Sequence, residues 1–189
     1  MFKKQTDNRV AVFFADGCEE IEGLTVVDLL FRAGIPCDMV SVSDSYQVTS
    51  SHEVTFLCNK LISEVDINAY AMLVLPGGIP GTPNLAATDV LMQAVDTFAA
   101  QGKPLAAICA APSIYAERGL LSGVRATANP GFQHVLVEKG ALLSKDPVVV
   151  DGPFITSQGA GTAVAFGLEI VRYFLGDAAV LRVCDGIAL

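Results

Sequence analysis

Short apolar segments alternate with longer segments of helical spacing along most of this sequence. Strands are predicted at 9–15, 37–41, 68–75, 104–108, 125–128, 148–150 and 154–156. Helices are predicted at 21–33, 89–101 and 132–139, from 109 up to 119, from 157–162 up to 175, and after 177. Two further segments, 46–50 and 54–58, alternate like a small β-hairpin. This order of elements predicts an α/β fold: an open, mostly parallel sheet with helices on both faces, in three layers.

The amino-acid composition narrows the class of protein. Of 189 residues, 52% are hydrophobic, which is typical of a sheet buried on both faces, and a single domain over 1–189 is expected. No apolar run approaches the ~18 residues of a membrane span, and the polar start predicts no signal peptide. We therefore expect a cytoplasmic protein with no membrane partner. A net charge of −8 without clustered Lys or Arg argues against nucleic acid as a partner.

The cysteines and glycine-rich loops give no sign of a metal or cofactor. Five cysteines, at 18, 37, 58, 109 and 184, lack a Cys-x-x-Cys pair and histidine spacing suited to zinc. They are interpreted as reduced thiols rather than a disulfide framework. Neither Gly77-Gly78 nor 159–162 has the glycine spacing of a dinucleotide fingerprint or the lysine of a P-loop. No metal and no cofactor are predicted.

Cys109 stands where a predicted strand gives way to a predicted helix. Pro112 is tolerated in the first helical turn, so a sharp turn must lie between Ile108 and Pro112. A nucleophile in such a turn projects from the end of the sheet, and small neighbours such as Ala110 and Ala111 let strand and helix approach each other. The helix N-terminus favours a thiolate that forms near neutral pH. We interpret Cys109 as a nucleophile, and the alternative is a buried structural cysteine.

Three loops with the composition of a site follow predicted strands, at 16–22, 76–81 and 109–112. Sites in open α/β sheets form beyond the carboxyl ends of strands, so these loops should meet. Glu22 lies beside apolar residues, and we expect it to point inward, keep a raised pKa and donate a hydrogen bond to Cys109. Glu19 and Glu20 are interpreted as helix-end carboxylates. The Gly77-Gly78 backbone can approach a reacting centre and stabilise an oxyanion, with a plain turn as the alternative.

Four segments occur in an order that is specific in combination. They are Ala15-Asp16-Gly17-Cys18-Glu19-Glu20-Ile21-Glu22, Val74-Leu75-Pro76-Gly77-Gly78, Ala106-Ala107-Ile108-Cys109-Ala110-Ala111-Pro112 and Thr156-Ser157-Gln158-Gly159-Ala160-Gly161-Thr162. With them the sequence resembles the ThiJ/PfpI superfamily, specifically its DJ-one branch, the family of the Parkinson's-disease-associated protein deglycase. The resemblance implies a flavodoxin-like fold, a homodimer, Cys109 as an oxidisable nucleophile at a strained elbow and Glu22 as its protonated partner. It also implies that the backbone of Gly78 and Ala110 borders an oxyanion or sulfinate site.

The sequence departs from that family at several positions. Many relatives carry a histidine where this chain has Asn129, and an arginine that reaches the dimer partner where it has His52. Asn129 is therefore a candidate substrate contact that can form hydrogen bonds but cannot exchange protons. Relatives described as proteases have histidine directly after the cysteine, where this chain has Ala110. Class I amidotransferases need a later His-x-Glu, which 134–136 does not supply, so both activities are disfavoured.

Two functions use the same residues, and the sequence leaves both open. The first is a cysteine-dependent, cofactor-independent glyoxalase or protein deglycase that acts on glyoxal, methylglyoxal or glycated adducts. The second is an oxidative-stress sensor or chaperone in which Cys109 is oxidised to sulfenate and sulfinate. A scaffold without an active thiol is a third interpretation. A homodimer through the first helix is expected, because apolar residues occur on more than one of its faces, at Ile21, Leu24, Val26, Val27, Leu29, Leu30 and Phe31.

Overall fold

The computed structural model describes residues 2–189. The strands are β1 (Val10–Phe14), β2 (Cys37–Ser41), β3 (Gln47–Thr49), β4 (Thr55–Leu57), β5 (Lys60–Leu61), β6 (Met72–Leu75), β7 (Leu105–Ile108), β8 (Arg125–Ala126), β9 (Leu142–Leu143), β10 (Val148–Asp151) and β11 (Phe154–Ser157). The helices are α1 (Glu20–Ala33), α2 (Gly81–Ala86), α3 (Asp89–Ala100), α4 (Pro112–Glu117), α5 (Gln133–Glu138), α6 (Ala163–Leu175) and α7 (Asp177–Ile187). Short 3-10 turns cover Ile62–Glu64, Ile67–Ala69 and Ala160–Thr162.

Seven strands form the central sheet, in the order β10-β11-β7-β6-β1-β2-β5. Neighbouring strands are parallel except β10 and β11, whose antiparallel register pairs Val148 with Ser157. β3 and β4 form the predicted small hairpin. The prediction of a flavodoxin-like, mostly parallel α/β sheet is confirmed.

The side chains of the sheet contribute alternately to two separate hydrophobic cores, because successive strand residues point to opposite faces. From β1, Ala11 and Phe13 pack on the side covered by α2, α3, α4 and α5. Val12 and Phe14 pack on the other side, against α1, α6 and α7. All four side chains are fully buried. The three predicted layers are therefore present. Within residues 2–189, no helix has the length and apolarity needed to cross a bilayer.

Three segments differ from the sequence prediction. The strand expected at 68–75 begins only at Met72, because the Asp66 side chain accepts a hydrogen bond from the Asn68 amide and caps a 3-10 turn there. Residues expected to continue the loop after Gly78 form the short helix α2. The strand expected at 125–128 is only the two residues of β8, which pairs with the unpredicted strand β9.

Candidate functional site

Cys109 lies at a sharp turn between β7 and α4. Its φ is +66°, in the left-handed region that residues with a side chain seldom adopt. Two backbone hydrogen bonds hold it there: its amide donates to the Ser157 carbonyl at 2.9 Å, and the Asn129 amide donates to its carbonyl at 2.8 Å. Pro112 opens α4, as predicted. The turn is the strained elbow expected for a nucleophile.

The loop after β6 passes so close to Cys109 that only glycine fits. A Cβ on Gly77 would lie 2.6 Å from the Cys109 Cβ and 2.8 Å from Glu22 Oε2. Gly78 has a φ of +91°, and a Cβ there would collide with the backbone at Cys18 and Glu19. The Gly77-Gly78 pair therefore has a steric reason beyond that of a plain turn.

Glu22 projects from the first turn of α1 into the space beside the sulfur. It is 1% exposed, and its Oε2 accepts a hydrogen bond from the Gly77 amide at 2.9 Å. The Cys109 thiol and the Ala160 amide also act on the Glu22 carboxyl, and both favour its ionised form. Glu19 caps the helix by accepting a hydrogen bond from the Glu22 amide at 2.7 Å, which is a helix-end role like the one predicted for it.

The environment of Glu22 favours the protonated carboxyl. Burial raises its pKa from the ordinary 4.5 to about 7, and the charge of Glu19 acts in the same direction. Hydrogen bonds with Cys109 and with the Gly77 amide oppose this rise without cancelling it. Near neutral pH the carboxyl therefore gains and loses a proton readily, which suits a general acid and base.

The pKa of the Cys109 thiol is raised, whereas a thiol at the start of a helix was expected to have a lowered one. Burial raises the pKa of the Cys109 thiol to about 12, and the ionised form of Glu22 adds to the rise. The amides of Gly78 and Ala110 act in the opposite direction without cancelling the effect of burial. A thiolate here depends on a protonated Glu22, because protonation removes the like charge and turns the carboxyl into a donor.

Two more segments border the sulfur. A Cβ on Gly159 would lie 3.5 Å from Asn129 Nδ2, 3.7 Å from Glu22 Oε1 and 4.0 Å from Cys109 Sγ. The predicted positions Cys109, Glu22, Gly78, Ala110 and Asn129 are thus brought together. Sequence reasoning assigned no role to Gly159 or to the Ala160 amide. The sequence signal was a glycine shortly after a predicted strand, but its position beside Cys109 could be inferred only by knowing that β11 lies beside β7.

The histidines are placed away from this pair. His134 is exposed on α5. The His52 side chain is 62% exposed in the hairpin turn, and its Nδ1 lies 3.1 Å from Glu20 Oε2 and 3.9 Å from Glu19 Oε1. The hydrogen bond with Glu20 raises the pKa of His52. One ligand atom from each of these three side chains lies within 4.8 Å of the others, so they are close enough to share a metal ion.

Comparison with known proteins shows which family the chain is similar to. The model of the DJ-1/PfpI family matches residues 8–173. "Protein DJ-1 homolog B" of Arabidopsis thaliana is 36% identical over 169 residues, which are 89% of this chain but 38% of that relative. This chain thus spans well under half the length of that protein.

Two further matches agree with the first in family and fold. "Glutathione-independent glyoxalase DJ-1" of Schizosaccharomyces pombe is 31% identical over 171 residues, covering 87% of this chain and 90% of that protein. The crystal structure of Drosophila melanogaster DJ-1beta superposes with a TM-score of 0.92 at 31% identity, covering 97% of this chain and 99% of that one.

Proposed function

The chain belongs to the DJ-1/PfpI family, and from this premise we propose that it is a cysteine-dependent, cofactor-independent glyoxalase or protein deglycase. The substrate is a 2-oxoaldehyde such as methylglyoxal, or its adduct with a protein. The observation that carries the proposal is the pairing of a partly buried nucleophile, Cys109, with the buried carboxyl of Glu22, whose pKa is about 7. The relative described as a glutathione-independent glyoxalase supports the reaction class.

The first step joins the sulfur to the aldehyde. Near pH 7 part of the Glu22 carboxyl is ionised. Cys109 Sγ forms a bond to the aldehyde carbon while its proton passes to this carboxylate, and the aldehyde oxygen then receives that proton to give a hemithioacetal. This transfer makes the reaction compatible with a high thiol pKa, because the thiol loses its proton only as the carbon–sulfur bond forms. The amides of Gly78 and Ala110 face the sulfur and suit an oxygen on which negative charge develops.

The second step moves one proton between neighbouring carbons. Glu22 removes the hydrogen of the former aldehyde carbon as a proton and returns a proton to the former ketone carbon, through an enediol. The product is a thioester of a 2-hydroxy acid. Water breaks the carbon–sulfur bond and restores the thiol, so the sum of the steps is the addition of one water to the 2-oxoaldehyde. No external oxidant or reductant takes part.

Redox sensing through Cys109 is the second candidate function. The same Gly78 and Ala110 amides, with a protonated Glu22, would hold the oxygens of a sulfinate on Cys109. Glu22→Gln separates the two functions, because glutamine still donates a hydrogen bond but cannot exchange a proton with carbon. An enzyme loses turnover in this variant, whereas a pure sensor still oxidises.

We also propose that two copies associate through α1 in a cytoplasmic protein. The core takes up Val26, Leu29 and Leu30, while Ile21 and Phe31 each stay 52% exposed. One set of apolar side chains of α1 is thus buried within the chain, and a second set is exposed at the surface, where a partner can cover it.

The test measures lactate formed from methylglyoxal with EDTA present and without glutathione. The wild type is expected to form lactate, and Cys109→Ser to lose at least about a hundredfold, the order of a lost nucleophile or proton-transfer group. Cys184→Ser, at another partly buried cysteine, is the matched control and should keep wild-type activity. Equal lactate formation by Cys109→Ser and the wild type would overturn the proposal.

A further inference from the structure

A pocket of about 350 Å³ lies between α2 and α4, outside the cluster that surrounds the sulfur. Its wall includes the apolar side chains of Ile79, Ala86, Ile114 and Phe132. Glu117, exposed at the end of α4, contributes a carboxylate. The pocket is thus mainly apolar, with a negative charge on one side.

Three segments that form the site also form this wall. Ile79 directly follows Gly78 in the loop after β6. Ser113, another wall residue, stands four positions after Cys109, and its Oγ donates to the Ala110 carbonyl at 2.8 Å. The Phe132 amide donates to the Asn129 carbonyl at 2.7 Å. The pocket and the site are therefore built on three common segments.

The wall also holds an unused hydrogen-bonding group. Among residues 2–189, Thr82 Oγ1 is the buried side-chain oxygen or nitrogen without a hydrogen-bond partner. Thr82 is 4% exposed and lines the pocket. Buried polar groups are normally paired, so an unpaired hydroxyl beside a cavity is accounted for by a ligand with a hydrogen-bond acceptor, which the ketone oxygen of a 2-oxoaldehyde provides.

We propose that this pocket binds the substituent on the ketone carbon of a 2-oxoaldehyde whose aldehyde carbon reacts with Cys109. This rests on the proposed glyoxalase function and names its substrate class: 2-oxoaldehydes with an uncharged apolar substituent the size of a phenyl ring. An apolar cavity of about 150 Å³ is enough for benzene, so a phenyl ring fits in 350 Å³ while a methyl group leaves most of the space unfilled. The Glu117 carboxylate disfavours anionic substituents.

The first test compares phenylglyoxal with methylglyoxal as substrates. Ala86→Leu narrows the pocket, and Ala87→Leu makes the same change at the next, exposed residue outside it. We expect the ratio of kcat/KM for phenylglyoxal to that for methylglyoxal to fall about tenfold in Ala86→Leu, since a misplaced methylene group has effects of this size. Ala87→Leu should keep the wild-type ratio. Ile79→Ala, at a 53% exposed position that tolerates substitution, should lower the ratio as well.

A second readout needs no turnover. N-benzyliodoacetamide and iodoacetamide alkylate the same sulfur, and intact mass gives the two rates at Cys109 in a background where the other four cysteines are serine. The wild type should prefer the benzyl reagent, and Ala86→Leu should remove that preference. If neither aldehyde turns over but the alkylation preference depends on Ala86, the proposed function fails and the pocket stands. The pocket assignment is overturned if Ala86→Leu and Ala87→Leu have turnover ratios that agree within twofold. If neither aldehyde turns over, the same criterion is applied to the ratio of the two alkylation rates.

Discussion

The protonation of Glu22 has a measurable consequence for the stability of the whole fold. Its pKa rises from 4.5 in an exposed chain to about 7 in the folded protein. The folded state therefore binds the proton more tightly, and between these two pH values it holds more protons than the unfolded state. Stability must fall as the pH rises through this window. At about 1.4 kcal/mol per pH unit, the loss attributable to Glu22 is about 3 kcal/mol.

Glu22→Gln isolates this loss, because glutamine retains an oxygen for the Gly77 amide and a donor for the sulfur but does not titrate. Urea unfolding followed by far-UV circular dichroism at intervals from pH 4.5 to 7.5 gives the free energy of unfolding of both proteins. The wild-type value minus the Glu22→Gln value should fall by about 3 kcal/mol across this range. Other carboxylates contribute equally to both proteins and cancel.

Glu138→Gln, at an exposed position on α5, is the matched control and should give a nearly flat difference. The outcome does not depend on which atom of the pair releases the proton. Whether Glu22 or Cys109 ionises first, the folded pair gives up one proton near pH 7, where the unfolded glutamate has already lost its own. A flat difference for Glu22→Gln would refute the raised pKa and, with it, the proton exchange on which the mechanism depends.

Two further predictions follow from the sulfur and from α1. After limited peroxide, mass spectrometry should find sulfinate at Cys109 before Cys18 or Cys58, because those two thiols are buried, whereas Cys109 is partly exposed and lies beside Glu22, whose pKa is about 7. Earlier oxidation of Cys18 or Cys58 would contradict the nucleophile assignment. Light scattering should give twice the 19.8 kDa chain mass for the wild type and a single-chain mass for Phe31→Asp. Val90→Asp changes an equally exposed apolar position on α3 and should stay dimeric. A single-chain mass for the wild type would rule out the dimer.

The sequence predicted the layers of the fold well because its signals are local. The extent of α1 was predicted from its hydrophobic spacing and from the glycine that follows it. Gly34 ends that helix with a φ of +78°, as expected of a C-cap glycine. The helix α2 was missed because Gly81 and Pro83 are typical of turns. Its stability comes from tertiary packing, with Leu85 fully buried in the core, and no local pattern reports that.

The direction of the Cys109 pKa could not be predicted for the same reason. A helix start is visible in the sequence, so its effect on the thiol was predicted, whereas the depth of burial is a property of the assembled layers. Burial penalises the thiolate more than the amides of Gly78 and Ala110 favour it. The raised pKa expected for Glu22 agrees with the structure, because its apolar neighbours are visible in the sequence and burial is the largest cause of the rise.

Strand order explains why residues so distant in the sequence meet. β11, β7, β6 and β1 are consecutive and mutually parallel in the sheet, so their carboxyl ends lie side by side. The segments that follow these strands carry Gly159, Cys109, Gly77 and Glu22, one for each strand. Asn129 is the exception, since it follows β8 outside this sheet and depends on its amide's hydrogen bond to the Cys109 carbonyl for its place. The same hydrogen bond helps to hold Cys109 at its positive φ, so the backbone of residue 129 is tied to the elbow whatever side chain it carries. A change of side chain there can therefore alter proton exchange with the substrate without altering the strained turn that presents the sulfur.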